Sequence, residues 1–136
     1  MPTQRALKDK QFIGTAYLPA AAATNYSGSF DLEAVAGAGD PSLFDLEVAM
    51  AAAPNFTDNS KTILITLQDS AAGSSFADVS PLHQCQIIGV TSTGSVATTW
   101  VFRPPPGVKR YIRCSQLVPS GGGDNTAVLV TYSLLF

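Results

Sequence analysis

Charge is scarce in this chain. Only 13 % of its 136 residues are Asp, Glu, Lys or Arg, beside one histidine, one tryptophan and two cysteines. Each shortage excludes something. The lone His83 stands near Cys85 in "HQC", and two candidate ligands are too few for a metal site. No Gly-x-Ser-x-Gly elbow or phosphate loop occurs. The glycines at 121–123 precede no helical pattern, so they read as a turn rather than a phosphate cradle. The acids are spread along strand patterns and turns, and no pair is singled out for glycoside hydrolysis. The expectation is a protein that is not an enzyme and carries neither metal nor cofactor. The first ten residues, "MPTQRALKDK", are polar and no apolar h-region follows them, so no secretion signal is read. No run approaches the roughly 20 apolar residues of a bilayer span. A soluble product made in the cytoplasm keeps Cys85 and Cys114 as buried thiols rather than a disulfide.

What the chain does have is apolar residues, 46 % of the total, enough for one domain with a real core. They come in short alternating bursts. In "LFDLEVAM", Phe44, Leu46, Val48 and Met50 fall on one face. The residue types there also suit a helix, but the complete period of two, bracketed by Pro41 and Pro54, predicts a strand. Five later segments are rich in β-branched and aromatic residues: 61–69, 83–92, 95–103, 108–118 and 126–136. Turn clusters such as "TSTGS", "PPPG" and "PSGGGDN" separate them. Seven to nine such strands without a long helix predict an all-β fold, an antiparallel β-sandwich of jelly-roll type. The predicted apolar face is Phe44, Leu46, Val48, Ile63, Ile65, Leu67, Trp100, Phe102, Ile112, Val128 and Val130. Residues 11–136 form this domain, and 1–10 read as a loose N-terminal arm, about 33 Å long when extended.

The few charges are unevenly placed. Residues 1–10, with Arg5, Lys8 and Lys10 against Asp9, sum to +2; residues 11–102 set Lys61 against eight acids, a net of −7; residues 103–113 carry +4. Half of the chain's eight cations thus lie in "RPPPGVKRYIRC", Arg103 to Cys114. Nucleic-acid binding asks for a larger basic excess and more stacking aromatics than Tyr111 alone. Strand alternation puts Lys109, Tyr111 and Arg113 on one face and Arg110, Ile112 and Cys114 on the other. The first three read either as a basic-aromatic contact strip or as an ordinary solvated face paired with acids of the middle segment. Arg110 is expected at the rim of the core or beside an acid.

The order "SLFDLEVAM", "TILITLQDSAAGSSFADV", "PPGVKRYIRCSQLV" and the charge-poor "SGGGDNTAVLVTYSLLF" resembles the small cement, or capsid-decoration, proteins of tailed bacteriophages, of the jelly-roll type first known from a Bordetella phage. The similarity spans most of residues 30–136. Its most specific pieces are "LQDS…SSF" (Leu67 to Phe76) and "GVKRYIR" (Gly107 to Arg113), while the alanine-rich "LPAAAATNYSGS" departs from the pattern. The resemblance implies a virion structural protein, made in the host bacterial cytoplasm and placed on the outer surface of the capsid. There it binds the major capsid protein and itself, without direct contact to nucleic acid or membrane. Self-association as a dimer is favoured over a trimer, because isologous contacts are the commonest closed association. The contact residues so implied are Arg5, Lys8, Lys10, Arg103, Lys109, Tyr111 and Arg113. The alternatives are a carbohydrate- or receptor-binding jelly-roll module and a head-completion or tail structural protein.

Overall fold

The computed structural model describes residues 8–32, 45–105 and 107–135, with side chains from residue 13 onward. Every element among them is a strand: β1 (Lys8–Tyr17), β2 (Ala23–Tyr26), β3 (Phe30–Asp31), β4 (Asp45–Met50), β5 (Thr62–Ser70), β6 (Ala77–Asp78), β7 (Gln84–Ile88), β8 (Thr98–Phe102), β9 (Tyr111–Val118) and β10 (Leu129–Leu135). They form two antiparallel sheets. Sheet A has the order β1-β10-β4-β8, and sheet B has β2-β9-β5-β6 with β3 also on β9 and β7 also on β5.

The doubtful segment of the sequence is a strand. In β4, Leu46, Val48 and Met50 are buried while Asp45, Glu47 and Ala49 face outward. Its neighbours decide the matter: Val48 lies opposite Tyr132 of β10 on one side and Trp100 of β8 on the other. A helix of the same composition would leave both of those ladders unpaired. Phe44, the expected first member of this face, lies outside the described residues.

β2 and β3 act as one interrupted strand along β9, running from Ala23 opposite Val118 to Asp31 opposite Tyr111. At the interruption Ser27 replaces a ladder partner. Its amide donates to the Cys114 carbonyl at 2.9 Å, and its hydroxyl accepts the Cys114 amide at 2.8 Å. β6 and β7 share β5 in the same way, with Asp78 opposite Gln68 and Gln84 opposite Thr66. A tight turn leads from β7 toward β8. Gly94 there has φ +72°, and a Cβ on it would meet the Ala53 carbonyl oxygen at 2.3 Å, so both dihedral and space demand glycine.

One core lies between the sheets, the arrangement of a β-sandwich. Leu46, Val48, Val130 and Leu134 of sheet A face Ile63, Ile65, Leu67, Ile112 and Val118 of sheet B, all nearly without solvent contact. Burial of each such side chain contributes about 1.5–3 kcal/mol. An exposed ion pair contributes about 0.2–1 kcal/mol, so this core and not the basic cluster holds the fold. Cys85 and Cys114 are buried free thiols. Burial pushes Cys85 up to about 12, and burial followed by the neighbouring Cys85 raises Cys114 well above its ordinary value.

Two sequence expectations change, and one polar residue enters the core without a signal in the sequence. Trp100 is half-buried rather than a core residue, because among the described residues β8 is the last strand of sheet A and no strand flanks it on one side. Gln116 occupies an inward position of β9 and is fully buried. It is satisfied there: its Nε2 donates to the Tyr17 carbonyl at 3.0 Å and to Asn25 Oδ1 at 2.8 Å, and its Oε1 accepts the Tyr132 hydroxyl. Finally, β1 begins at Lys8, opposite Leu135, so pairing starts before the arm boundary expected at residue 10. Residues 1–7, with Arg5, lie outside the described residues.

Candidate functional site

The molecule presents two distinct surfaces: the basic cluster that the sequence singles out, and an apolar side that it does not.

β9 begins at Tyr111, and its alternation turns Tyr111 and Arg113 outward while Ile112 and Cys114 enter the core. Arg113 is held on three sides. Its guanidinium carbon lies 3.8 Å from the Tyr26 ring centroid and 4.2 Å from that of Phe76, and its Nε donates to Gln68 Oε1 at 3.0 Å. Gln68 Nε2 donates in turn to Asp78 Oδ1 at 3.0 Å. Tyr111 is half-buried under the loop after β5, where a Cβ on Gly73 would touch its ring at 3.3 Å. Lys109 lies ahead of the strand. Its amide donates to Asp69 Oδ2 at 3.0 Å, and the residue is exposed.

The two remaining arginines meet acids from distant parts of the chain. Arg110 forks onto Asp31, with Nε to Oδ1 at 2.9 Å and NH2 to Oδ2 at 3.0 Å, as expected for a rim arginine. Arg103, just past β8, reaches Asp45 through Nε at 3.0 Å and NH2 at 3.4 Å. The Asp45 carboxylate, by hydrogen bond and then by charge, holds that guanidinium above its ordinary value. Arg103 adjoins sheet A, whereas Tyr111 and Arg113 belong to sheet B. The cations adjacent in sequence are thus divided into two ion-paired arginines, of which Arg110 also lies over the Tyr111 ring at 5.0 Å, one arginine held between two rings, and one exposed lysine. Of the N-terminal cations, Lys8 and Lys10 lie on the backbone of β1.

His83 joins the same region. Nδ1 lies 2.7 Å from the Pro81 carbonyl oxygen, Nε2 lies 3.0 Å from that of Arg103, and the ring meets Phe102 edge-on at 6.0 Å. These contacts tie the lead into β7 to the end of β8, a structural task. Among the described residues, no group of three or more His, Cys, Asp or Glu is placed to hold a metal ion. No helix among them is long and apolar enough to cross a membrane.

The second surface lies where both sheets end, at β8 of sheet A and β7 of sheet B. Trp100 lines an open depression of ≈ 230 Å³ there with Ile88, Val90 and Val96 among others. Leu82, Ile88, Val90, Val96 and Val101 make up five of the eight large apolar residues left exposed among the described residues. The sequence does carry one signal for this side. Residues 79–102 contain no Asp, Glu, Lys or Arg, although much of the stretch is at the surface. A strand periodicity assigns such residues to faces but does not say which strand ends a sheet.

A scan against protein-family models gives no match for this chain, and a comparison with curated proteins gives none either.

Proposed function

We propose that this is a virion structural protein that binds the outside of a phage capsid and cements neighbouring major capsid subunits, associating also with itself. One observation carries the reading. The two stretches with the most specific resemblance, Leu67–Phe76 and Gly107–Arg113, are 31 residues apart in the chain yet knit into one unit. Gln68 lies opposite Arg113 and Ser70 opposite Tyr111, Arg113 stacks on Phe76, and Asp69 accepts the Lys109 amide. Residues that interlock in this way give a likeness in both stretches more weight than two separate likenesses would have.

The strand order supports the jelly-roll form of the sandwich. The first strand lies beside the last, with β4 and β8 completing that sheet, while β2, β9, β5 and β7 follow one another in the second. Apart from β2 with β3 and from β5 through β7, strands that follow one another in the chain lie in opposite sheets, the pattern of two Greek keys. Such a body is rigid, and its repeated placement across subunit seams gains avidity, because the second contact is effectively intramolecular. Lys109, exposed beside Tyr111, is the cation best placed to meet an acidic capsid surface, with the charged ends of Arg103 and Arg113 already engaged.

The carbohydrate-binding alternative draws on Trp100, but the depression beneath it has an apolar majority and no carboxylate or base to fork onto sugar hydroxyls. The test is composition of purified particles. Hundreds of copies per particle, released without loss of the head's closure, support cementing. About a dozen copies point to a head-completion or tail protein instead, and absence from the particles overturns the proposal.

A further inference from the structure

We propose that the exposed edge of β8 pairs antiparallel with β8 of a second copy, about a twofold axis at Trp100, to make one continuous eight-stranded sheet from two copies of sheet A. The inference names the surface behind the self-association proposed above and rests on that reading for the identity of the partner alone.

An edge strand presents unpaired amides and carbonyls, and soluble proteins protect such edges with charges, prolines, bulges or covering loops. Among the described residues, β8 has none of these within Thr98–Phe102. Its five residues, "TTWVF", are β-branched or aromatic and carry no charge. They pair with β4 in unbroken register, Leu46 opposite Phe102 through Met50 opposite Thr98. The protection sits outside those five residues. On one side the regular ladder with β4 stops at Thr98 and returns only as an isolated bridge at Ser95, tied to Ala53 by backbone bonds of 2.8 and 3.0 Å, so the extended strand ends there. On the other, His83 occupies the Arg103 carbonyl, and Pro104 and Pro105 have no amide to offer. Among the described residues the bare edge is therefore five residues long, with Trp100 at its centre.

That geometry selects the occupant and the register. The only antiparallel register that matches all five residues to all five puts Trp100 opposite Trp100, Thr99 opposite Val101 and Thr98 opposite Phe102. In it Arg103 meets Ala97 of the second copy, not the other Arg103. The two arginines then stand six residues apart along the strand, roughly 20 Å, beyond the screening length at physiological salt. An acidic chain is thereby able to meet its own copy through its uncharged side. The flanking surface agrees. The half-buried Trp100 and the exposed Ile88, Val90, Val96 and Val101 border the same edge. A standard interface takes roughly 20–30 residues a side; of the 21 residues in the uncharged stretch from Leu82 to Phe102, 15 keep solvent contact and can contribute to one.

Sedimentation equilibrium of the isolated protein tests this, with two designed variants. Thr99→Lys combined with Val101→Lys sets like charges directly opposite each other on both sides of the axis, and association is expected to weaken about tenfold or more. Thr99→Glu combined with Val101→Lys sets opposite charges in the same places and is expected to restore it. Both positions are exposed, and circular dichroism checks that each variant folds. Amide hydrogen exchange of the wild type supplies a reading independent of any substitution: with rising concentration the amides of β8 slow while those of β1, the other edge of sheet A, do not. A wild type that stays monomeric to about 100 µM, well above the dissociation constants of standard interfaces, overturns the inference. So does equal association of the two variants, or β8 exchange indifferent to concentration. All of these readouts are made without particles, so a failure here leaves capsid decoration standing, and a protein absent from particles leaves the self-pairing standing.

Discussion

Replacing Arg113 tests whether the basic strip is a projecting contact or an internal strut. The guanidinium lies between the Tyr26 and Phe76 rings at 3.8 and 4.2 Å and bonds to Gln68 at 3.0 Å. Each cation–π contact at a partly exposed site contributes about 0.5–1 kcal/mol, and a hydrogen bond from a charged donor about 1.5–3 kcal/mol. Arg113 is half-buried, so the lower part of the second range applies, and Arg113→Ala is expected to cost roughly 2–4 kcal/mol. Arg113→Lys keeps the charge but loses the planar stack and the fork geometry, and is expected to lose about half as much. Urea unfolding followed by Trp100 fluorescence measures both. Arg113→Glu adds a carboxylate beside Gln68 and Asp78 and is expected to destabilise at least as much as alanine, so weaker decoration by that variant reports a loosened scaffold. Lys109→Glu is the cleaner probe of capsid contact, since only its amide is engaged. Arg113→Lys and Arg113→Ala both unfolding at the wild-type midpoint would refute the strut and return Arg113 to the contact surface.

Other outcomes follow from the core. Ile65→Ala, at a fully buried site, is expected to cost about 2–5 kcal/mol; Trp100→Ala, half-buried at an edge, is expected to cost less than the 3–5 kcal/mol typical of a buried tryptophan, as thermal melts will show. Gln116→Leu strands the Tyr132 hydroxyl and should destabilise by about 1–3 kcal/mol, whereas Gln116→Leu with Tyr132→Phe should recover part of that loss in a double-mutant cycle. Stability is expected to fall as pH rises above the ordinary thiol value of 9.0, because the folded chain keeps Cys85 protonated to about 12 while the unfolded chain ionises; Cys114 and Tyr132, both raised chiefly by burial, act in the same direction. Native protein should accordingly resist thiol alkylation until urea unfolds it. In acid the sign reverses. Hydrogen bonds from Ser60 and Thr126 hold Asp58 and Asp124 below the ordinary carboxylate range. Their contribution is present above that range and is lost as pH drops through it, so Thr126→Ala should flatten the acid limb of a pH–melting profile.

Strands were legible in the sequence because their cause is local. Alternation in 61–69, 108–118 and 126–136 is a property of successive side chains, and it gave the inward Ile63, Ile65 and Leu67 of β5, Ile112 and Cys114 of β9 and Val130 of β10 correctly. Even the ambiguous "DLEVAM" yielded to its period of two. The contacts of the basic cluster were not legible in the same way. Asp31 and Arg110 are 79 residues apart, and Asp45 and Arg103 are 58 apart, so their pairing depends on which strands become neighbours. A rim arginine beside an acid was foreseeable for Arg110; the identity of the acid was not. Nor did Gln116 announce itself as a core residue, since its burial is made tolerable only by Tyr17, Asn25 and Tyr132 arriving from three other strands. The same holds for β8. Its apolar alternation predicted a buried Trp100, but burial needs a neighbour on both flanks, and topology put β8 last in its sheet. Local side-chain order thus determined the strands and much of their inward faces, while tertiary structure alone decided which strand ended its sheet and which charges found partners, because both depend on the ordering of segments far apart in the chain.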